Sequence, residues 1–275
     1  MNTQGFHLTG SLAVPLDFNA STLDEITVQL SDGFYTTFST LSGGTKVLGL
    51  QAHLNRLFTP AKEHGLLPSV DEKTLRRHIV EAVRLYLPDE ARIRLVLTRD
   101  TGDVYLGIQA FTPPPAEIYE KGVHVITVSM ARHDPRIKGT DFIAQSAEQR
   151  KLVRKDVYEI LLMGKRGNIL EGMTSNFYVI KGKNLITAQK GILLGVTRRA
   201  VLRLARGQGM PIDYRSPRMD EKFNEAFITS SSRGVVPIIS IDEKNVGEGG
   251  VGEWTKKLSL AYQAYVHNKS EDICS

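Results

Sequence analysis

Two residues in the middle of the chain have side chains suited to one shared piece of chemistry. Lys138 closes the run Arg132-His133-Asp134-Pro135-Arg136-Ile137-Lys138, just after a turn that a proline stiffens. An amine so placed is a candidate Schiff-base nucleophile. Glu171 opens Glu171-Gly172-Met173-Thr174-Ser175-Asn176, read here as a small polar loop, and is a candidate partner for a ring nitrogen. Pyridoxal phosphate chemistry needs both, an amine to hold the aldehyde and an acid to keep the pyridine protonated. Neither residue decides the matter alone, since most lysines are solvated surface charges.

That chemistry also needs a phosphate site, and three segments offer one. Gly191-Ile192-Leu193-Leu194-Gly195-Val196-Thr197-Arg198 puts glycines directly before a helical pattern. The first turn of a helix has unpaired N–H groups and the positive end of its dipole, which suit a dianion. Thr197 adds a hydroxyl, although an ordinary capped helix would read the same way. Thr229-Ser230-Ser231-Ser232-Arg233-Gly234 is a second small, polar loop, either an anion nest or a simple turn. Arg56 lies on the polar side of a helix, as a solvated charge or as a bidentate phosphate ligand.

The elements that must position these residues follow from patterning. Ile26–Leu30 and Phe34–Phe38 read as strands, as do Lys46–Leu50, Arg92–Thr98 and Val104–Phe111. Gln51–His64 and a segment that begins at Val70-Asp71-Glu72 and stops at Leu87-Pro88 have helical spacing. Thr112-Pro113-Pro114-Pro115 cannot enter a sheet or helix interior and is taken as a linker. It separates an N-terminal domain, 1–112, from a C-terminal one, 123–275, across a connection at 113–122. Beyond it, Val123–Met130 is expected as a strand and Phe142–Asp156 as one helix. Hairpins are expected over 159–170 and 176–187, helices at Val196–Gly207 and Glu253–His267, and strands at Ala226–Thr229 and Pro237–Ile241. Strands with interspersed helices in both halves give an α+β fold.

Composition excludes several classes. At 275 residues, 41% hydrophobic and 24% charged, the chain is an ordinary soluble type, with no apolar run long enough to span a bilayer. The N-terminus lacks the pattern of a signal peptide. One cysteine, Cys274, permits no intrachain disulfide, which points to the reducing cytoplasm. The seven histidines form no His-x-x-x-His pair, so no metal is expected. The net charge of +5 is dispersed, without the aromatic interleaving of a nucleic-acid surface.

Taken in order, these segments resemble the class IV (fold type IV) pyridoxal-phosphate-dependent aminotransferases. That family includes branched-chain amino-acid aminotransferases, D-amino-acid aminotransferases and aminodeoxychorismate lyases. The carriers are Asp32-Gly33-x-Tyr35, His53-Leu54-x-Arg56-Leu57, Pro135-x-x-Lys138, Glu171-x-x-x-Ser175-Asn176, Leu193-x-Gly195-Val196-Thr197-Arg198 and Thr229-Ser230-Ser231 with Pro237. Val251-Gly252-Glu253-Trp254-Thr255 looks like the family's last helix start. The resemblance implies a smaller N-terminal α/β sandwich, a larger C-terminal pseudo-barrel and a homodimer.

It also implies roles. Lys138 would be the catalytic residue, tethering the cofactor, with Glu171 at the ring nitrogen and Leu193 against the ring. Arg56, the N–H groups of Val196 and Thr197, and Ser231 would hold the phosphate. Tyr35, Arg94, Thr174, Ser231 and Ser232 are the implied substrate contacts, with a solvent-facing strand position as the alternative for Arg94. Arg94 stands where branched-chain enzymes have a carboxylate-binding arginine. The segment Thr98–Tyr105 lacks the Arg-x-His trap of the D-amino-acid enzymes, whereas Asp32-Gly33-Phe34-Tyr35-Thr36-Thr37 looks more like the lyases. The reading is transamination from an L-amino acid, branched-chain or otherwise apolar, to a 2-oxo acid such as 2-oxoglutarate. The alternatives are a D-amino-acid or (R)-amine transaminase, or a lyase that releases pyruvate.

Overall fold

In a computed structural model of the chain, residues 3–154 and 156–274 are described, and element counts refer to these. The fold mixes helices and strands in two compact units, each built on its own sheet. The first comprises residues 1–113, with Ile137–Gln145 and Lys269–Ser275 added from later in the chain. The second comprises Pro114–Arg136 and Ser146–Asn268. The chain first passes between them at Pro113–Pro114, inside the proline run, and crosses back for a nine-residue strip that includes Lys138.

The first unit's seven-stranded sheet is antiparallel throughout. Its order is Ser270–Asp272, Lys46–Leu48, Gly33–Leu41, Ala91–Thr98, Val104–Ala110, Gln4–Thr9, Leu12–Pro15. Side chains alternate between faces along a strand, and Gly33–Leu41 uses both. Phe34 and Phe38 join the core that buries Leu50, Leu54, Leu57 and Ala61 of the helix Leu50–Glu63. Those four recur every three or four residues, a stripe along one helix face. Leu75, Ile79, Ala82 and Val83 of Glu72–Arg84 do the same. Each large side chain so buried contributes about 1.5–3 kcal/mol. On the other face, Tyr35 packs with Val96 and Ile143.

The expected strand over Ile26–Leu30 is instead the end of a helix, Leu23–Val28. Thr22 caps it, its hydroxyl accepting from the Glu25 N–H at 3.1 Å. Thr-x-x-Glu is a helix-start signal, and it overrides the β-branched composition that follows.

The second unit's nine-stranded sheet is mixed. Val123–Ser129 pairs in parallel with both Glu159–Met163 and Gly234–Ile241, while Asn176–Lys181 and Glu225–Ser230 pair antiparallel. The sheet curls so that Ile169–Gly172, its last strand, comes back beside Asn176–Lys181. Glu171 and Gly172 therefore sit on a strand, not in a loop, and only Met173–Ser175 bends. The helix expected over Phe142–Asp156 is two short ones, Asp141–Gln145 and Ala147–Arg150, separated by the fully buried Ser146. Its Lys155 lies outside the described residues. No described helix is long and apolar enough to cross a membrane.

Candidate active site

In the first unit, the strip carrying Lys138 is attached through its main chain. The Tyr35 N–H donates to the Lys138 carbonyl at 2.9 Å, and Gly139 bridges Phe34. The Thr140 N–H donates to the Gly33 carbonyl at 2.9 Å, and the Gly33 N–H donates to the Thr140 hydroxyl at 2.8 Å. Gly33 itself is required by the neighbouring strand, because a Cβ there would lie 2.2 Å from the Leu97 carbonyl oxygen. The half-buried Lys138 side chain puts Nζ 4.5 Å from the centroid of the buried Tyr35 ring, a cation–π distance.

Arg94 and Arg56 belong to the same unit. Arg94 does not face solvent; it is 8% exposed. Its Nη1 donates to Asp24 Oδ1 at 2.6 Å, to the Thr27 hydroxyl at 2.9 Å and to the Leu23 carbonyl at 3.1 Å, while Nε donates to Thr37. These bonds fasten the Leu23–Val28 helix to the sheet. Arg56 is half-buried on Leu50–Glu63.

Glu171, Thr174, Leu193, Val196, Thr197, Ser231 and Ser232 all fall in the second unit. Glu171 is 2% exposed, and both of its oxygens are engaged. Arg132 Nε donates to Oε1 at 2.7 Å; the Leu193 N–H donates to Oε2 at 3.0 Å, and Asn176 Nδ2 at 3.4 Å. An ion pair and N–H donors on the charged form favour a fixed carboxylate. Asn176 also donates to the Leu193 carbonyl at 2.7 Å and accepts the Gly195 N–H at 3.2 Å. One amide thus ties Glu171 to the segment that opens the helix Val196–Gly207.

That helix start has the groups an anion needs. Its N-cap, Gly195, makes no side-chain capping bond, so the first-turn N–H groups of Val196 and Thr197 are left for something else. A Cβ at Gly195 would meet Asn176 Oδ1 at 2.3 Å, so the position admits only glycine. The Tyr262 hydroxyl is buried beside Thr197, short of a full hydrogen bond with any described residue. A fixed carboxylate, an uncapped helix start and a buried hydroxyl at its edge fit a phosphorylated pyridine, from ring nitrogen to phosphate.

A model of the amino-transferase class IV family matches residues 33–241. The chain belongs to the class IV aminotransferases. It is accordingly an aminotransferase of fold type IV that works with pyridoxal 5′-phosphate. It is 27% identical to the branched-chain-amino-acid aminotransferase of Pseudomonas aeruginosa, over 83% of this chain and 81% of that one. It is 29% identical to the D-alanine aminotransferase of Bacillus licheniformis, over 86% and 88%. Among solved structures, the branched-chain aminotransferase of the thermophilic archaeon Thermoproteus uzoniensis with norvaline superposes with a TM-score of 0.76. That match covers 98% of this chain and 99% of that one at 22% identity, a likeness of fold. A branched-chain amino acid aminotransferase solved with pyridoxamine 5′-phosphate superposes with a TM-score of 0.81, over 98% of both chains at 18% identity.

The sequence pointed to no role for Arg132, Asn176 or Tyr262. Arg132 and Asn176 stand inside the quoted motifs, but Arg132 meets Glu171 across 39 positions and Asn176 meets Leu193 across 17. The signal available was Arg132 itself, a charge flanking a turn that here is buried and therefore needs a counter-charge. Arg233 is a further omission. It closes the Ser231–Ser232 turn and bonds Thr174. Among the described residues no group of three or more His, Cys, Asp or Glu side chains could hold a metal ion.

Proposed function

We propose that this aminotransferase moves the amino group of an L-amino acid with a branched-chain or other apolar side chain to a 2-oxo acid such as 2-oxoglutarate. Bound pyridoxal phosphate supplies the electron sink for the pair released at the substrate Cα. Lys138 provides the amine that tethers the cofactor and, once released, the base that takes and returns the Cα proton. Its main-chain mooring fixes the root of the side chain that makes that exchange. Glu171 holds positive charge at the ring nitrogen, and Arg132 and Asn176 keep its carboxylate aimed. The Val196 and Thr197 N–H groups, Ser231 and Arg56 bind the phosphate, and Leu193 packs against the ring. Thr174, Ser231, Ser232 and Tyr35 meet the substrate, whereas Arg94 is engaged with Asp24 and the Leu23–Val28 helix.

The observation that carries the substrate assignment is the character of the second unit's candidate contacts. Thr174, Ser231 and Ser232 offer hydroxyls, and the arginine beside them is paired with a buried carboxylate, Glu159. Such a surface suits an uncharged side chain. The likeness to branched-chain aminotransferases supports the same reading. The likeness to D-alanine aminotransferases supports a second, D-amino-acid transamination, and the Asp32–Thr37 segment a third, the lyase.

Purified holoprotein mixed with L-leucine, D-alanine or (R)-1-phenylethylamine separates these. L-leucine is expected to convert the visible cofactor band to the aminated form. Conversion by D-alanine alone sinks the L-specific reading, and pyruvate release from aminodeoxychorismate with no amino donor reacting supports the lyase. The proposal extends to a cytoplasmic homodimer, whose assembly light scattering tests.

A further inference from the structure

Arg233 is the last residue of the turn that joins Glu225–Ser230 to Gly234–Ile241. Its side chain folds back under the turn and is 18% exposed. Nη2 donates to Glu159 Oε2 at 2.9 Å and to the Thr174 hydroxyl at 2.6 Å, and Nε donates to the Ser230 hydroxyl at 3.0 Å. Glu159, 2% exposed, also accepts the hydroxyls of Thr174 at 2.5 Å and Ser175 at 3.1 Å, and the Ile160 N–H at 3.0 Å. Burial alone would raise its carboxyl, but the Arg233 charge and these donors hold it below the usual range. Ser231 and Ser232 lie half-buried on the same turn.

A buried ion pair is a weak source of stability, since well-packed apolar residues serve as well. Its distinct effect is on charge. A lone guanidinium at this turn would attract any second carboxylate bound against Ser231 and Ser232. Paired with Glu159, it holds Thr174 and Ser230 in place and presents no net charge.

We infer that Glu159 is a specificity-determining residue, cancelling the charge of Arg233 so that the Ser231–Ser232 turn favours an uncharged substrate side chain over a carboxylate, a bias in relative rate within a pocket that still admits the dicarboxylate acceptor. The inference rests on the proposed reading of that turn as substrate-facing. Glu159 reaches the substrate through Arg233 and Thr174; it is not a catalytic residue.

The test is the ratio of kcat/KM for L-glutamate to that for L-leucine, a quantity independent of active fraction. Glu159→Gln keeps one acceptor oxygen, for Thr174 and Ser175, loses the one that accepts the Ile160 N–H, and uncovers the charge of Arg233. The ratio should rise about fivefold to tenfold, the effect of one partly screened charge, and the rise should shrink with added salt. The double variant Glu159→Gln/Arg233→Met should return the ratio close to wild type. An unchanged ratio in Glu159→Gln, or an equal rise in the double variant, overturns the inference. Where Glu159→Gln does not fold, Glu159→Met makes the same comparison. Failure of both to fold overturns it too, by making the pair a structural requirement. Wild-type enzyme alone reveals whether the L-specific reading fails; the ratio is then read with D-glutamate against D-alanine.

Discussion

Lys138 and Glu171 are held in opposite ways. Around Lys138 the fixed atoms are main-chain ones: its carbonyl, Gly139 and Thr140 are bonded to Gly33, Phe34 and Tyr35, while the amine rests against an aromatic face. Around Glu171 the fixed atoms are the carboxylate oxygens themselves, gripped by Arg132, Leu193 and Asn176. An amine that must bond, release and carry a proton needs a rigid root and a mobile tip. A carboxylate that only stabilises charge needs a rigid tip, because electrostatic help is largest when nothing has to reorganise.

The sharpest way to break this contrast is to remove each group and compare what is lost. Lys138→Ala should lower turnover more than about 10³-fold, since tether and base go together. Its unfolding temperature should stay within about 2 °C of wild type, because no main-chain bond is touched. A large thermal shift would show that the side chain anchors the strip after all. Glu171→Gln should cost about 10²-fold in kcat. Unlike the lysine variant, it should also lose about 3 kcal/mol or more of stability in urea titration, because the buried Arg132 loses the carboxylate it pairs with. A variant as stable as wild type would remove Arg132 from the argument. The smallest effect belongs to Thr22→Ala, which deletes the cap of a helix bonded to Arg94. About 1 kcal/mol of stability should go with kcat unchanged, and a fall in kcat would tie Arg94 to turnover.

Much of this was legible in the sequence wherever the information was local. Val196–Gly207 was read correctly because glycine, period and length agree within one segment. Ile26–Thr27–Val28 misled because β-branched composition was weighed above the Thr22–Glu25 cap. The break at Ser146 was invisible, as the helical spacing runs through it and the interruption falls where the chain passes from one unit to the other. At the candidate site, residue type and order singled out Lys138 and Glu171. The partners that set their behaviour were not legible: Arg132 meets Glu171 across 39 positions, and Arg233 meets Glu159 across 74. Such pairings depend on strand register, which no motif spells out.

The two units also interleave along the chain. A polypeptide severed between Pro113 and Pro114 would yield an N-terminal fragment deprived of its border strand Ser270–Asp272 and of the strip that carries Lys138. The two units are therefore not self-contained modules joined at that junction. Any engineered split, graft or permutation has to carry the borrowed pieces along with their host.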